Sequence, residues 1–293
     1  MKYAYYPGCS LHSTAKEYDI SAQAVCRALG IELQEIPGWI CCGATSAHAT
    51  SEILSLALPV ANLTLAREMD LDVMVCCAAC YSRLRTANVA MRTNDERHAQ
   101  VSQVVGKEYH GEVHVRHLLD VLVTDYGLDK LQERVTRPLS GWKVAAYYGC
   151  LLTRPPQVAH FDNPENPVSM DRLAVALGAE ALDWPYKTEC CGASLSLTTR
   201  GDVVLKLCRD ILQMAGDAGA DCIMVACPLC QANLDLRQSQ INKRYGTGFQ
   251  FPILYFTQLI GLAFGMNPDE LGLSKLLVSP APLLKAKALA QEE

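Results

Sequence analysis

The strongest constraint on this chain is a set of cysteines that occurs twice in the same order. Cys9, the adjacent pair Cys41–Cys42, and Cys77-Ala-Ala-Cys80 make the first set; Cys150, the pair Cys190–Cys191, and Cys227-Pro-Leu-Cys230 make the second. The pairs have related surroundings, Cys-Cys-Gly-Ala-Thr-Ser at 41–46 and Cys-Cys-Gly-Ala-Ser-Leu at 190–195. Flanking residues repeat too. Met1-Lys-Tyr-Ala-Tyr-Tyr-Pro-Gly-Cys9 returns as Trp142-Lys-Val-Ala-Ala-Tyr-Tyr-Gly-Cys150, and Asp72-Val-Met-Val-Cys-Cys-Ala-Ala-Cys80 as Cys222-Ile-Met-Val-Ala-Cys-Pro-Leu-Cys230. The offset between copies is 141 at the first cysteine, 149 at the pair and 150 at the last, and the extra residues fit a Pro-rich surface loop at 155–167. Such duplication makes the chain two copies of one unit.

Each unit reads as strands alternating with helices. Residues 3–6 form a strand ending at Pro7-Gly8, and Glu17 to Leu29 has helical spacing that stops at Gly30. Ile31 to Ile36 is a second strand closed by Pro37-Gly38; Glu52 to Met69 is a long helix; Asp72 to Cys76 is a compact buried strand; a helix runs from Cys80 through Arg92. This order predicts an α/β fold of two pseudo-symmetric Rossmann-like halves, each a mainly parallel sheet flanked by helices. The expected divisions are a first cysteine domain over 1–92, a helical connector over 93–140, a second cysteine domain over 141–273 and a loose C-terminal tail over 274–293. Within the connector, helices are expected near Glu96–Val105, His114–Tyr126 and Asp129–Val135. Phe251 to Met266 is read as a buried core helix, because Pro252, Thr257 and Gln258 interrupt it as a membrane span. Ligand sites in such sheets lie beyond the carboxyl ends of the strands, where all five cysteines of the first set fall.

Net charge is −5 and no Lys/Arg run occurs, so neither nucleic acid nor an anionic membrane surface is the expected partner. The N-terminus lacks a secretory signal, and a cytoplasmic location is expected. Thiols in a reducing compartment bind metal or do redox chemistry more often than they form disulfides. Cys26, Cys76, Cys208 and Cys222 stand outside the repeat and read as small buried hydrophobes.

Thiolates are soft ligands suited to zinc, copper(I) or iron–sulfur assemblies. A C-x-x-C at the end of a buried strand puts two sulfurs on one side of a turn, where helix-opening N–H groups favour negative charge. Adjacent cysteines diverge, so a pair suits a polynuclear object better than one ion, and five thiolates exceed the four that tetrahedral zinc accepts. Three readings stay open: an iron–sulfur cluster in each half, structural zinc, or a catalytic dithiol at C-x-x-C alone.

The order Cys, Cys-Cys-Gly, Cys-x-x-Cys resembles the cysteine-rich CCG domain, and a chain of two such domains resembles the B-type subunit of heterodisulfide reductase. The resemblance implies two noncubane 4Fe-4S clusters. Cys9, Cys41, Cys42, Cys77 and Cys80 would hold one, and Cys150, Cys190, Cys191, Cys227 and Cys230 the other. It implies a disulfide substrate of the coenzyme M–coenzyme B type bound between the clusters, each supplying one electron, with each sulfur held at an iron until two thiols are released. Partners would be a C-type subunit with cubane 4Fe-4S clusters and a flavin-containing A-type subunit, fed by a hydrogenase or formate dehydrogenase module. Relatives in sulfur oxidation run the flow outward, and a CCG subunit that only transfers electrons is a further alternative.

His12, Lys16, Arg154, Thr45, His48 and Arg200 follow the cysteines in sequence and are candidates for contact with an anionic substrate, His12 and Arg154 foremost.

Overall fold

Largely buried strands with one exposed edge strand in each half organise the chain. In the computed structural model, which describes residues 1–44, 47–196 and 198–289 (the backbone alone at His48 and Leu289), they form two four-stranded parallel sheets. The first joins β1 (Lys2–Tyr6), β2 (Glu32–Glu35), β3 (Val73–Val75) and β4 (Val115–His117) in the order β2-β1-β3-β4. The second joins β5 (Lys143–Tyr147), β6 (Glu180–Ala181), β7 (Cys222–Val225) and β8 (Ile253–Tyr255) in the equivalent order β6-β5-β7-β8. Register repeats with the topology: Tyr6 pairs with Val75 and Tyr147 with Val225. The central strands β3 and β7 are buried throughout, as a parallel sheet covered on both faces requires. Chain order reverses between β1 and β3, and again between β5 and β7, so each half has one switch-point crevice.

Three expectations are corrected. The stretch read as a helix over 114–126 begins with strand β4, so the connector completes the first sheet. Its period-two signal is only three residues long and leads straight into helical turns, which hid it. Likewise Phe251 to Met266 is not one helix: β8 precedes the helix Phe256–Ala263. Over its described residues, 274–289, the tail is not loose. Asp235 accepts the N–H groups of Leu277 (2.8 Å) and Val278 (3.0 Å), and in the helix Ala281–Leu289 the Lys287 ammonium lies 2.7 Å from Asp221.

The halves pack on one another directly. Tyr18 stacks on Tyr255 with ring centres 3.9 Å apart, Ser21 and Thr257 share a 2.7 Å hydroxyl bond, and Tyr81 donates to the Ala159 carbonyl (2.5 Å). These contacts are buried, so the two switch points are held in one relative orientation.

Candidate functional site

Sequence neighbours of the cysteines explain how each nest is built. β1 ends at Tyr6, and Gly8 then turns the chain with φ +67° into the short helix Gly8–His12 that carries Cys9. β3 delivers Cys77, which caps the helix Ala78–Thr93, and Cys80 follows within its first turn. In the second half Cys227 caps the helix Pro228–Leu236, whose proline at the first position needs no N–H partner. The pairs Cys41–Cys42 and Cys190–Cys191 lie on the loops after β2 and β6.

These elements bring both sets together. In the first nest the sulfurs of Cys9 and Cys41 are 3.9 Å apart and those of Cys42 and Cys80 3.3 Å apart. In the second, Cys150 and Cys190 are 4.0 Å apart and Cys191 and Cys230 3.6 Å. Each nest has a buried floor (Cys42, Cys77, Cys80; Cys191, Cys227, Cys230) and a more open rim. The sulfurs are grouped in pairs, and among the described residues no three His, Cys, Asp or Glu side chains converge on a single ion position.

Burial and mutual repulsion resist ionising all five thiols. Cys80 and Cys230 are driven well above the ordinary thiol range, chiefly by the neighbouring thiols that share their protons, with burial adding to it. Charge concentrates instead on a few members. Cys42 is brought down to about 3 by the thiols of Cys41 and Cys80, and Cys190 to about 6 by that of Cys150. Cys227 is pulled well down by Cys230 and Cys77. Backbone N–H groups add to this: that of Ala44 donates to Cys42, Gly192 lies 3.3 Å from the Cys190 sulfur, and Leu229 and Cys230 donate to Cys227. Among the described residues, the cavity wall of the second nest carries no lysine, arginine or histidine. Five soft donors with so little positive charge around them fit a cationic metal–sulfide assembly, which supplies the charge that lets all five ionise.

The nests adjoin. The cavity lined by Cys150, Cys190, Cys191, Cys227 and Cys230 is walled on its far side by Ala44, Ala78 and Ala79 of the first half. Across the same boundary Cys77 is driven well up, first by the Cys227 thiol, and Cys227 is pulled well down by Cys230 and then by Cys77.

Two tyrosines at equivalent positions were not singled out from the sequence. The phenol of Tyr6 donates to the carbonyl of Ile40 (2.8 Å) and that of Tyr147 to the carbonyl of Glu189 (2.6 Å), each the residue before a cysteine pair. Each ring sits among the cysteines of its own nest, and burial, with the nearby thiols adding to it, drives the phenol far up. The signal was available: both lie at the offset that relates Cys9 to Cys150. Tyr147→Phe removes one partly buried hydrogen bond and is expected to cost about 1 kcal/mol of stability. Denaturant unfolding of variant and parent checks this, and an unchanged midpoint contradicts it.

The anchoring then diverges. Asn62 clamps Ile40, accepting its N–H (2.8 Å) and donating to its carbonyl (2.9 Å), whereas Asn233 donates to the carbonyl of Cys191 (2.9 Å). Cys208 also donates to that carbonyl (3.4 Å), so it does more than fill space. Cys26, Cys76 and Cys222 are buried and held protonated by desolvation, Cys26 at about 12.

Of the candidate substrate contacts, His12 is exposed, 3.4 Å from a Glu35 carboxylate oxygen with its ring edge on Trp39. Arg154 is committed to its own half: it donates to the Pro164 carbonyl (2.9 Å), Glu165 (3.0 Å) and the Thr188 hydroxyl (3.0 Å), bracing the Pro-rich loop against the approach to Cys190. Lys16 and Arg200 are exposed at helix starts. Thr45 and the side chain of His48 lie outside the described residues.

The family model described as CCG, cysteine-rich domain, matches residues 3–85 and 144–235. The B-type subunit of the ferredoxin:CoB-CoM heterodisulfide reductase of Methanosarcina mazei is 32% identical over 279 residues, 94% of this chain and 93% of that one. A protein of Archaeoglobus profundus, described as similar to the B-type subunit of heterodisulfide reductase, is 32% identical over 277 residues, 92% of this chain and 93% of that one. A protein of Wolinella succinogenes described as the membrane anchor subunit of 8-methylmenaquinol:fumarate reductase is 33% identical over 285 residues, 96% of this chain and 99% of that one. Among the described residues of this chain no helix is long and apolar enough to cross a membrane. A solved structure, a hypothetical protein from Helicobacter pylori, shares the fold with a TM-score of 0.75 at 16% identity, over 95% of this chain and 52% of that one.

Proposed function

The chain belongs to the family of heterodisulfide reductase B-type subunits, built from paired CCG domains, and from that premise we propose that it is the disulfide-cleaving subunit of a multi-subunit oxidoreductase. The observation that carries this reading is the adjacency of the nests, with Ala44, Ala78 and Ala79 of one half walling the cysteine cavity of the other. A single sulfur–sulfur bond placed at that boundary reaches both.

The cysteines named above would hold a noncubane 4Fe-4S cluster in each half, and a bound cluster supplies one electron at a time. Cleaving R–S–S–R′ to two thiols takes two electrons and two protons, so a pair of one-electron sites fits the stoichiometry. The protein's part is to hold both nests at fixed separation, to shield the bond behind apolar walls, and to leave the rim at Cys9, Cys41 and Cys190 open. His12, exposed beside the first rim, has the Glu35 carboxylate 3.4 Å away, whereas Arg154 donates to Pro164, Glu165 and Thr188, so His12 is the freer of the two to meet an anionic substrate. Electrons would come from a C-type subunit with cubane clusters and a flavin-bearing A-type subunit.

The Wolinella relative favours a second reading, an electron-transfer subunit without a disulfide substrate, because its description names a quinol and fumarate. Anaerobic purification separates the readings. Iron and acid-labile sulfide should accompany the chain, and reduced viologen should drive release of two thiols per disulfide. Iron with electron transfer but no thiol release supports the second reading; zinc as the only metal contradicts both.

A further inference from the structure

Cleavage from both ends needs the two nests at one separation, and one buried side chain reaches both. β4 ends on His117 and β8 on Tyr255 at matching register, opposite Val75 and Val225. The two residues have diverged. Tyr255 turns its hydroxyl to Glu17 (3.5 Å), whereas His117 faces the boundary between the halves. Its Nε2 lies 2.8 Å from the carbonyl oxygen of Cys76 and 3.2 Å from that of Ala226. Those residues are equivalent: each immediately precedes the first cysteine of a C-x-x-C, Cys77 or Cys227.

Nδ1 accepts the N–H of Leu119 (3.2 Å), which places the ring proton on Nε2, shared between the two carbonyls. The ring is wholly buried against the edge of Tyr81, with centres 5.9 Å apart. Tyr18 supports the same point by donating to the Ala226 carbonyl (3.4 Å). A neutral imidazole N–H shared this way ties the strand ends that deliver Cys77 and Cys227.

We infer that His117 is a positioning residue for disulfide cleavage, a strut that fixes the spacing between the two clusters by holding the Cys76 and Ala226 carbonyls on one N–H. The inference rests on the proposed function, but its central readout does not require turnover. His117→Phe keeps a planar ring and removes the donor; His117→Gln returns an N–H; Tyr18→Phe removes only the weaker support at Ala226. In the anaerobically purified holoprotein, pulsed electron paramagnetic resonance of the reduced state measures the magnetic interaction between the clusters, with iron assayed alongside. The expected result is full iron in His117→Phe with a weakened interaction and at least a tenfold loss of disulfide turnover, partial return of both in His117→Gln, and a smaller change of the same sign in Tyr18→Phe. An unchanged interaction in iron-replete His117→Phe overturns the inference. So does loss of iron in both His117 variants with the interaction intact in Tyr18→Phe, which would make the residue a support of one nest rather than a spacer of two. A parent protein with interacting clusters that cleaves no disulfide leaves the strut standing and removes the proposed reaction.

Discussion

Cys42→Ala and Cys191→Ala are each expected to leave the chain with one cluster and no disulfide turnover. Both sulfurs lie on nest floors, 2% exposed, and each contacts a helix-borne cysteine, Cys80 at 3.3 Å or Cys230 at 3.6 Å. Cys42 also carries the most strongly stabilised thiolate of its nest, at about 3. Losing one sulfur removes a soft donor that no neighbour replaces, since the remaining four are fixed on the turn after the first strand, the pair's loop and the helix start of the C-x-x-C. The packing cost is small, about 1 kcal/mol for one buried atom, so the fold survives and the other nest still fills. Iron should fall by about half, and turnover by at least ~100-fold, or about 2.7 kcal/mol in barrier. Metal analysis with a viologen-coupled assay checks both. Retention of parental activity in either variant contradicts the two-cluster account.

Gly8→Ala and Gly149→Ala are expected to be nearly as damaging, although neither residue carries a functional group. Both have φ +67°, where a side chain costs about 1–2 kcal/mol. Space is the second obstacle. A Cβ on Gly8 would stand 3.1 Å from the Cys80 sulfur and 3.3 Å from the Tyr6 ring, and one on Gly149 would stand 3.0 Å from the Cys230 sulfur. The glycines therefore let the turn after β1 or β5 approach the helix cysteine. Overpacking adds about 1–3 kcal/mol, and the displaced sulfur is one the cluster needs. Each variant should lose iron from its own half and lower the unfolding free energy by about 2–5 kcal/mol. Chemical denaturation and iron content check this; a fully loaded Gly149→Ala chain of parental stability contradicts it.

Much of this arrangement was legible in the sequence because it is local and duplicated. The cysteine sets, the strands before them and the helix starts after them follow from short patterns, as Asp72-Val-Met-Val-Cys shows in leading to Cys77. What stayed hidden depends on contacts distant in sequence. β4 is three residues long, and its strand character comes from pairing with β3. His117 looks like any histidine before a helix until Ala226, 109 positions away, is placed beside it. Tyr6 and Tyr147 stand in plain view in the repeat but look like strand filler, since a buried tyrosine is more often core. Arg154 looks free for an anion in the sequence because its partners come from a loop and from Thr188, beyond any local pattern.

The most direct test is the thiol yield of a single turnover: protein reduced anaerobically, freed of excess reductant and mixed with a disulfide. The account predicts two thiols per chain, formed as both clusters are oxidised together, and none from Cys42→Ala or Cys191→Ala treated in the same way. Equal yield from a chain with only one nest filled would contradict it.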